Sequence, residues 1–577
     1  MTATATMPPR QRSGVRVGQV VCTQAALAMP LLASVGGVTG VCCATGLAIL
    51  VIVACWLRVG QHWAYQWWAL ACGYRWRRRT LPPGADLLAW TLPGARIGST
   101  VFADTPAATI VDGWGVVAVV ALGDPTAVLV DPVTLPDPAK LAGLGRTDGP
   151  VVRVQMLVTG AAAPVAELGA VPAAASYQQL TQGRAIGSAQ ALLAIRVLSD
   201  GRHRDELVAA LAAVLRRLPR LCPELSTTVL GADALAAALA DLAEQDPHRP
   251  VVERWSSIRC GERHQASFAL RLPPGPAADR LLPRLATLPV AGVTVSFAAQ
   301  SDGVVLPVMV RLAANGPAAL TAAISALTQL VRDHGGQLTS QDGAQRAALA
   351  RTLPLAAADS RPPIRTSVQA DDPTAPTLAA LPTAGLVCGV DRHDQPVLVR
   401  LFRPEPTRVL LAGGVPTARL LVLRALALGA HIQICTSRPE AWDGFARAAS
   451  PPGTPIEVNA VSPTTATARR PLLTVVDTGA ISAPVAEGAW RTTMLIRDQL
   501  TSVDTGALAR ADLAVLPPLP AESATLAGTA LGLGAAAPWL TRIRSDMVAL
   551  VSRRTVRWAA LSVTPTERQL AGVPDRS

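Results

Sequence analysis

The chain is poor in the residues from which catalytic and metal sites are usually built. Its nine cysteines are an odd number with no CxxC pair. That argues against a disulfide frame or zinc cluster and for free thiols in a reducing compartment. Cys22, Cys42, Cys43, Cys55 and Cys72 crowd the N-terminal part, while Cys222, Cys260, Cys388 and Cys435 are isolated. Cys260 and His264 have ligand-like spacing but no second pair. The seven histidines include no H-E-x-x-H, and no G-x-S-x-G elbow occurs. No cofactor and no metal is therefore expected. No RNP, zinc-finger or helix-turn-helix pattern is present, which excludes the common nucleic-acid readers. Lysine is nearly missing: Lys140 stands alone, so arginine carries the basic charge. Acidic residues are missing before Asp86, so eight of the net +12 charges fall in the first 85 residues. A basic block so placed suits anionic lipid headgroups better than a nucleic acid.

What is present is a long uncharged run, Val17 to Leu57, with Arg10, Arg12 and Arg16 before it and Arg58, Arg75, Arg77, Arg78 and Arg79 after it. A bilayer core needs roughly 20 apolar helical residues, so the run fits two crossings. Glycine accepts positive φ, which places the turn at Ser34-Val35-Gly36-Gly37, between helices at about 17–34 and 38–57. Both basic flanks then lie on one side, the cytoplasmic one by the positive-inside rule. A cleaved signal peptide is the competing reading. A second apolar span ending in arginines and tryptophans counts against it. Gly36, Gly40 and Ala44 recur at four-residue spacing, which lets helices approach closely in lipid.

Residues 58–79 read as an aromatic and basic juxtamembrane helix. Trp56, Trp63, Trp67, Leu70 and Tyr74 fall along one helical face, and Arg58 and Arg77 flank it. Trp56, Arg58, Trp63, Trp67, Tyr74 and Arg77 are the candidate contacts to membrane or partner.

Residues 80–352 read as a mixed α/β domain. Strands are expected at 101–103, 109–111, 115–122 and 151–158, with Asp112-Gly113 as a turn. Further on, strand 189–198 and helices 203–218 and 232–243 precede strand 251–260. A hairpin at Gly261-Glu262 joins that strand to 265–272. A helix at 277–288, strands at 293–298 and 304–312, and a helix at 317–332 complete the block. Strand–helix–strand–helix appears at about 189–243 and again at 265–332, as a divergent duplication would.

The paired apolar spans, the tail Trp63, Tyr65, Trp67, Trp68, Leu70, Tyr74 and Trp76 with its arginines, and the stretch Asp112-Gly113-Trp114-Gly115 together resemble the EccE family. Ser176, Tyr177 and Leu180, and Arg254-Trp255 before the 261–271 hairpin, are similar to it as well. EccE is a membrane component of the actinobacterial type VII (ESX) secretion system. The resemblance covers residues 10–335 and only weakly the rest. It implies a non-catalytic subunit in an inner-membrane complex with EccB, EccC and EccD, where EccC is the motor.

Residues 353–382, with Pro354, Pro362, Pro363, Pro373, Pro376 and Pro382, read as a linker. Residues 383–577 alternate strands and helices, pointing to a doubly wound, Rossmann-like sheet. There Gly413-Gly414 follows a strand and opens a helix, in the register of a phosphate-binding loop. That loop needs a second glycine, a lysine and a hydroxyl. Ala418, Arg419 and Leu420 stand in their places, so the loop is degenerate. Leu472 to Asp477 has the form of a metal-binding strand end, as do many buried strands.

The expectation is thus a membrane-anchored α/β chain: a basic N-terminus 1–16, a transmembrane pair 17–57, and two α/β domains facing the cytoplasm as a multi-pass inner-membrane protein. Its role is that of a non-catalytic ESX subunit. The alternative is a membrane-tethered nucleotide-binding protein or enzyme.

Overall fold

A computed structural model describes residues 17–33, 37–59, 62–102, 105–124, 126–130, 134–145, 149–165, 171–223, 225–273, 276–357, 384–450, 456–460, 465–468, 470–479 and 488–572. Two compact units are formed. The first comprises Met1–Arg79 with Arg254–Ser256 and Asp342–Ala344; the second comprises Thr80–Glu253, Ser257–Gln341 and Gln345–Ser577.

In the first unit, helix α1 is Val17–Leu32 and α2 is Gly37–Trp56. Among the described residues α2 is the helix long and apolar enough to cross a membrane. The 16 residues of α1 rise about 24 Å, short of a core of about 30 Å. The start of α1 meets the end of α2 through polar groups. Gln19 Nε2 donates to the Cys55 carbonyl at 2.8 Å, and Trp56 Nε1 donates to Thr23 Oγ1 at 2.8 Å. Gln19, Thr23 and Trp56 thus find hydrogen-bond partners across the two helices. Gly40 lies where a Cβ would come within 3.3 Å of the Ala33 carbonyl oxygen; Gly36 and the rest of the expected turn at 34–36 are outside the described residues.

The expected single helix over 58–79 does not form. Strands β1 (Arg58–Val59) and β2 (His62–Trp63) pair antiparallel, and helix α3 runs only from Ala64 to Trp76. Residues 60 and 61 lie outside the described residues. Trp56 and Trp63 therefore do not share a helical face with Trp67, although their rings meet edge to face at 6.3 Å.

The second unit begins with β3 (Thr80–Leu81) and α4 (Leu87–Thr91). A meander β4 (Arg96–Phe102), β5 (Thr105–Asp112) and β6 (Gly115–Leu122) leads to α5 (Pro138–Ala142). Then come β7 (Val152–Ala162), α6 (Pro172–Thr181), β8 (Ile186–Leu198), α7 (Arg204–Leu221), β9 (Thr227–Val229) and α8 (Ala232–Ala243). The same series follows again: β10 (Val251–Glu253), β11 (Ile258–Cys260), β12 (Arg263–Arg271) and α9 (Pro276–Leu285). It continues with β13 (Gly292–Gln300), β14 (Val308–Asn315), α10 (Pro317–Asp333), β15 (Gln337–Ser340) and α11 (Gln345–Arg351).

These strands make one 13-stranded sheet ordered β3-β10-β11-β12-β14-β13-β7-β8-β6-β5-β4, with β9 on β6 and β15 on β12. The order is two-fold about the β13–β7 pair: three-strand meander, helix, hairpin, helix, short strand, helix, twice. A duplication is present, but its halves are about 96–243 and 251–351, not 189–243 and 265–332. The short α5 hid the first half, because a five-residue helix leaves almost no periodic trace. The expected strand 251–260 is also two strands, β10 and β11, paired Val251↔Cys260 around a reversal that presents Trp255.

Buried arginines cross-link the halves. Arg196 of β8 is fully buried and holds Asp112 at 2.6 and 2.8 Å, while its Nη2 donates to the Leu355 carbonyl at 3.0 Å. Arg311 of β14 is buried and donates to Gln265 Oε1 at 2.9 Å and the Leu242 carbonyl at 2.6 Å. Each arginine thus fastens the segment ending the other half. Residues 353–357, expected as the start of a linker, belong to the folded unit instead, since Leu353, Leu355 and Ala356 are buried in this core. Their apolar side chains outweigh the breaking effect of Pro354. Residues 358–383 lie outside the described residues.

The C-terminal part opens with β16 (Leu386–Val390) and β17 (Pro396–Val399), then β18 (Thr407–Ala412), α12 (Gly414–Ala427), β19 (His431–Thr436) and α13 (Glu440–Ala449). After β20 (Glu457–Val458) come β21 (Leu472–Asp477), β22 (Arg491–Arg497), α14 (Thr505–Arg510), β23 (Leu513–Leu516) and α15 (Ala521–Leu531). The hairpin β24 (Met547–Ser552) and β25 (Thr555–Ala560) and helix α16 (Pro565–Ala571) end it. The ten-stranded sheet is mixed. Its core β23-β18-β22-β21-β19-β20 is parallel, with β17-β16-β25-β24 antiparallel at one side. Strands such as Leu472–Asp477 are buried along their whole length and mostly apolar, as parallel strands covered on both faces are. Helix α6, inserted in the first half of the duplication, docks here. Tyr177 is fully buried, and its hydroxyl accepts from the Val387 N–H at 3.1 Å.

Candidate functional site

In open α/β sheets, ligands bind beyond the carboxyl ends of the parallel strands, where the strand order reverses. Here that point is the end of β18, which lies between β22 and β23. Gly413 and Gly414 follow it with φ +145 and +71, and α12 starts at once. At Gly414 a Cβ would stand 3.1 Å from Asp498 Oδ1, so glycine lets the loop lie against that carboxylate.

The neighbouring strand ends supply the charges. Asp477 closes β21, Asp498 follows β22, and Arg438 follows β19. Arg438 lies between the two acids. Its Nη2 is 2.8 Å and its Nε 3.0 Å from Asp477 carboxylate oxygens, and its Nη1 is 2.8 Å from Asp498 Oδ2. Asp477 Oδ2 also accepts from Trp442 Nε1 at 2.9 Å and Thr436 Oγ1 at 3.0 Å. Burial pulls the Asp477 carboxyl upward, but these hydrogen bonds from Arg438, Trp442 and Thr436 outweigh it and hold it below the usual carboxylate range. Arg438 is shifted upward by its hydrogen bonds to Asp477 and Asp498. Two carboxylates and a hydroxyl at adjacent strand ends are what a magnesium site would use. In this chain a guanidinium already stands between the acids.

The other sequence-singled residues depart further from phosphate binding. Ala418 and Leu420 are fully buried in the core, and the hydroxyl nearest the loop, Thr417 Oγ1, donates back to the Gly413 carbonyl at 3.3 Å. Arg419 turns away from the loop: it donates to the Ala441 carbonyl and stacks over Trp442 and Phe445, with Cζ 6.0 and 5.7 Å from the ring centroids. Among the described residues no group of three or more His, Cys, Asp or Glu converges as a metal cluster. The sequence pattern exposed the glycines but not Arg438, because three strand ends far apart in sequence converge only in the fold.

The membrane-contact candidates fall in the first unit. Trp67 and Tyr74 pack on Trp255, with ring centroids 6.0 and 5.3 Å apart. Arg77 donates to the Gly343 carbonyl at 2.7 Å and lies over the Tyr74 ring at 5.6 Å. Trp56 and Trp63 pack on each other. Arg58 lies in β1 opposite Trp63. The stripe Trp67–Leu70–Tyr74 thus turns inward. The most exposed rings of this unit are Trp68 at 63% and Trp76 at 89%, ahead of Trp56 at 42%, and the stripe left out the first two because they lie off its face. The cleft between these elements holds about 690 Å³ and is lined by Trp67, Trp68, Ala71, Cys72, Tyr74, Arg75, Arg79 and Trp255.

An apolar N-terminal helix, a two-fold antiparallel α/β sheet and a mixed α/β sheet whose strand-end acids are paired with Arg438 define an α/β chain that carries, among its described residues, one helix long and apolar enough to cross a membrane. Residues 193–270 match the family described as "Putative type VII ESX secretion system translocon, EccE". The match runs from β8 to β12, across the junction of the two halves, and supports the resemblance drawn from the sequence. No curated protein matches the chain. Among solved structures, the genome packaging NTPase B204 from Sulfolobus turreted icosahedral virus 2 with ATP-gammaS is 10% identical at a TM-score of 0.21, covering 27% of this chain and 98% of that one. The same protein with AMP gives 9% identity and a TM-score of 0.20, covering 28% and 100%. Likeness at that level fixes neither fold nor function.

Proposed function

We propose that this chain is a non-catalytic, membrane-anchored subunit of a type VII secretion translocon. The family match over residues 193–270 carries the reading. In it, α1 and α2 form a two-crossing hairpin in the inner membrane, with the bulk of the chain in the cytoplasm. The polar bonds between Gln19, Thr23, Cys55 and Trp56 support the pairing, since unsatisfied polar groups are costly in lipid. The partners are the EccB-, EccC- and EccD-type membrane subunits, and anionic headgroups lie against the arginines around residues 58–79.

A nucleotide-binding role is the second reading, favoured by Gly413-Gly414 at a strand end. The guanidinium of Arg438 between Asp477 and Asp498, the turned-away Arg419 and the buried Leu420 weigh against magnesium-nucleotide chemistry. Affinity purification of the tagged full chain from membranes tests the main reading. Recovery of the other translocon subunits is expected, with loss on deletion of residues 1–79. Full recovery of those subunits with the truncated chain would relocate the interface, and no recovery with the intact chain would overturn the assignment.

A further inference from the structure

We propose that the cleft of the first unit is a binding site for the headgroup of one anionic glycerophospholipid. The site is built from two distant pieces of sequence. Helix α3 brings Trp67, Trp68, Tyr74 and Arg75, Arg79 follows it, and the reversal between β10 and β11 contributes Trp255. Trp67 and Trp68 meet edge to face at 6.1 Å, and Trp255 closes on Trp67 and Tyr74. The Arg79 guanidinium lies over the Tyr74 ring at 5.0 Å. Stacking holds its plane while leaving its N–H edge for a phosphate oxygen.

The charge of the cleft is unopposed. Within the first unit the sole acidic residue is Asp342, and among the described residues Arg75 and Arg79 are exposed and form no ion pair. A phosphate alone would leave the rings unused. A phosphodiester carrying a glycerol and acyl chains uses both, with the guanidinium groups on the phosphate and the rings along the first carbons. The volume of about 690 Å³ suits a headgroup and the start of its chains. The inference rests on α2 as a membrane span, because only then does α3 lie at headgroup depth, where exposed tryptophans such as Trp68 and Trp76 are at home.

The test uses the full chain in nanodiscs of phosphatidylcholine with a minor share of phosphatidylglycerol, and native mass spectrometry to count the lipid kept after release. One retained phosphatidylglycerol is expected. Both Arg75→Gln/Arg79→Gln and Trp255→Ala should cut retention by about fivefold or more, the scale of a lost desolvated cation–aromatic contact. Arg10→Gln/Arg12→Gln, with the same charge loss, should not. Retention unchanged by Trp255→Ala and by the arginine pair, equal retention of phosphatidylcholine, or displacement by inorganic phosphate would each overturn the proposal, the last by making this a free-phosphate site. Release of the chain by alkaline carbonate, scored separately on native membranes, would instead strike at the anchoring of α2.

Discussion

Arg438 occupies the place between Asp477 and Asp498 with four short hydrogen bonds, the closest at 2.8 Å to each carboxylate. A magnesium ion entering this site would have to displace a bidentate arginine, the strongest pairing available to a carboxylate. The full chain in detergent should therefore show no magnesium-dependent ATP turnover above a mock purification. Arg438→Ala should not create it, because Leu420 supplies no hydroxyl and Arg419 is committed to Ala441. Turnover that Arg419→Ala abolishes would overturn this.

The same pair makes the C-terminal part acid-sensitive. Asp477 is held low as argued above. Burial raises the Asp504 carboxyl, yet the hydrogen bonds from Arg497 and Thr501 prevail and lower it. The unfolded chain then binds these protons at a higher pH than the folded chain, so stability rises with pH across the window. It is fully present above the ordinary value of about 3.9 and lost as pH falls through the folded values. Urea midpoints followed by tryptophan fluorescence should hold down to about pH 5 and drop between about pH 5 and about pH 2. Arg438→Met should make that drop shallower; an equal drop in both proteins would count against the pair as its source.

In the duplicated sheet, Arg196 and Asp112 are a buried pair with 0% and 1% side-chain exposure. Removing one partner strands a buried charge, at a cost of about 3–5 kcal/mol. Asp112→Ala should lower the unfolding free energy read from urea denaturation by that amount, and Asp112→Asn by less. This is the Asp112-Gly113-Trp114-Gly115 stretch that resembled EccE. Its last glycine is also structural: a Cβ on Gly115 would lie 2.0 Å from the Val197 carbonyl oxygen. Gly115→Ala should therefore be as damaging as loss of the pair.

Strands such as Gly115–Leu122 and Leu472–Asp477 were legible in the sequence because apolar runs buried on both faces leave an unbroken trace. Helix Ala232–Ala243 was legible to the residue through its periodic Leu235, Leu239 and Leu242. The two-fold sheet was not, since strand order depends on pairings between segments more than a hundred residues apart, such as Val158 with Val295. At the strand-end site, Gly413, Gly414 and Asp477 could be singled out by motif. Arg438 could not, because no local pattern tells an arginine that it will sit between two distant acids. Trp255 was singled out by the resemblance, but its packing on Trp67 and Tyr74 was not legible, since it lay in a run read as one strand.

Topology follows from charge. Arg58, Arg75, Arg77, Arg78 and Arg79 follow α2 with no acidic residue before Asp86, so the end of α2 should face the cytoplasm. A reporter fused after Arg79 should behave as cytoplasmic. An external reading there would exclude the two-crossing hairpin.

Attachment to partner subunits can be separated from internal packing ring by ring. Trp56 is tied to Thr23 and Trp63, and Trp67 to Trp255, so replacing those three would disturb the first unit itself. Trp68 and Trp76 are the most exposed rings of the unit, at 63% and 89%, and truncating them removes less internal contact than truncating Trp56, Trp63 or Trp67. Aromatic anchors buried at an interface can each contribute about 2 kcal/mol or more. Trp68→Ala/Trp76→Ala should therefore lower recovery of the other membrane subunits in a detergent pull-down while leaving membrane insertion and the urea midpoint unchanged. Trp56→Ala/Trp63→Ala should lower both recovery and the midpoint. If the exposed pair can be removed with full recovery, the aromatic segment serves the bilayer alone, and the protein contacts belong to the sheets.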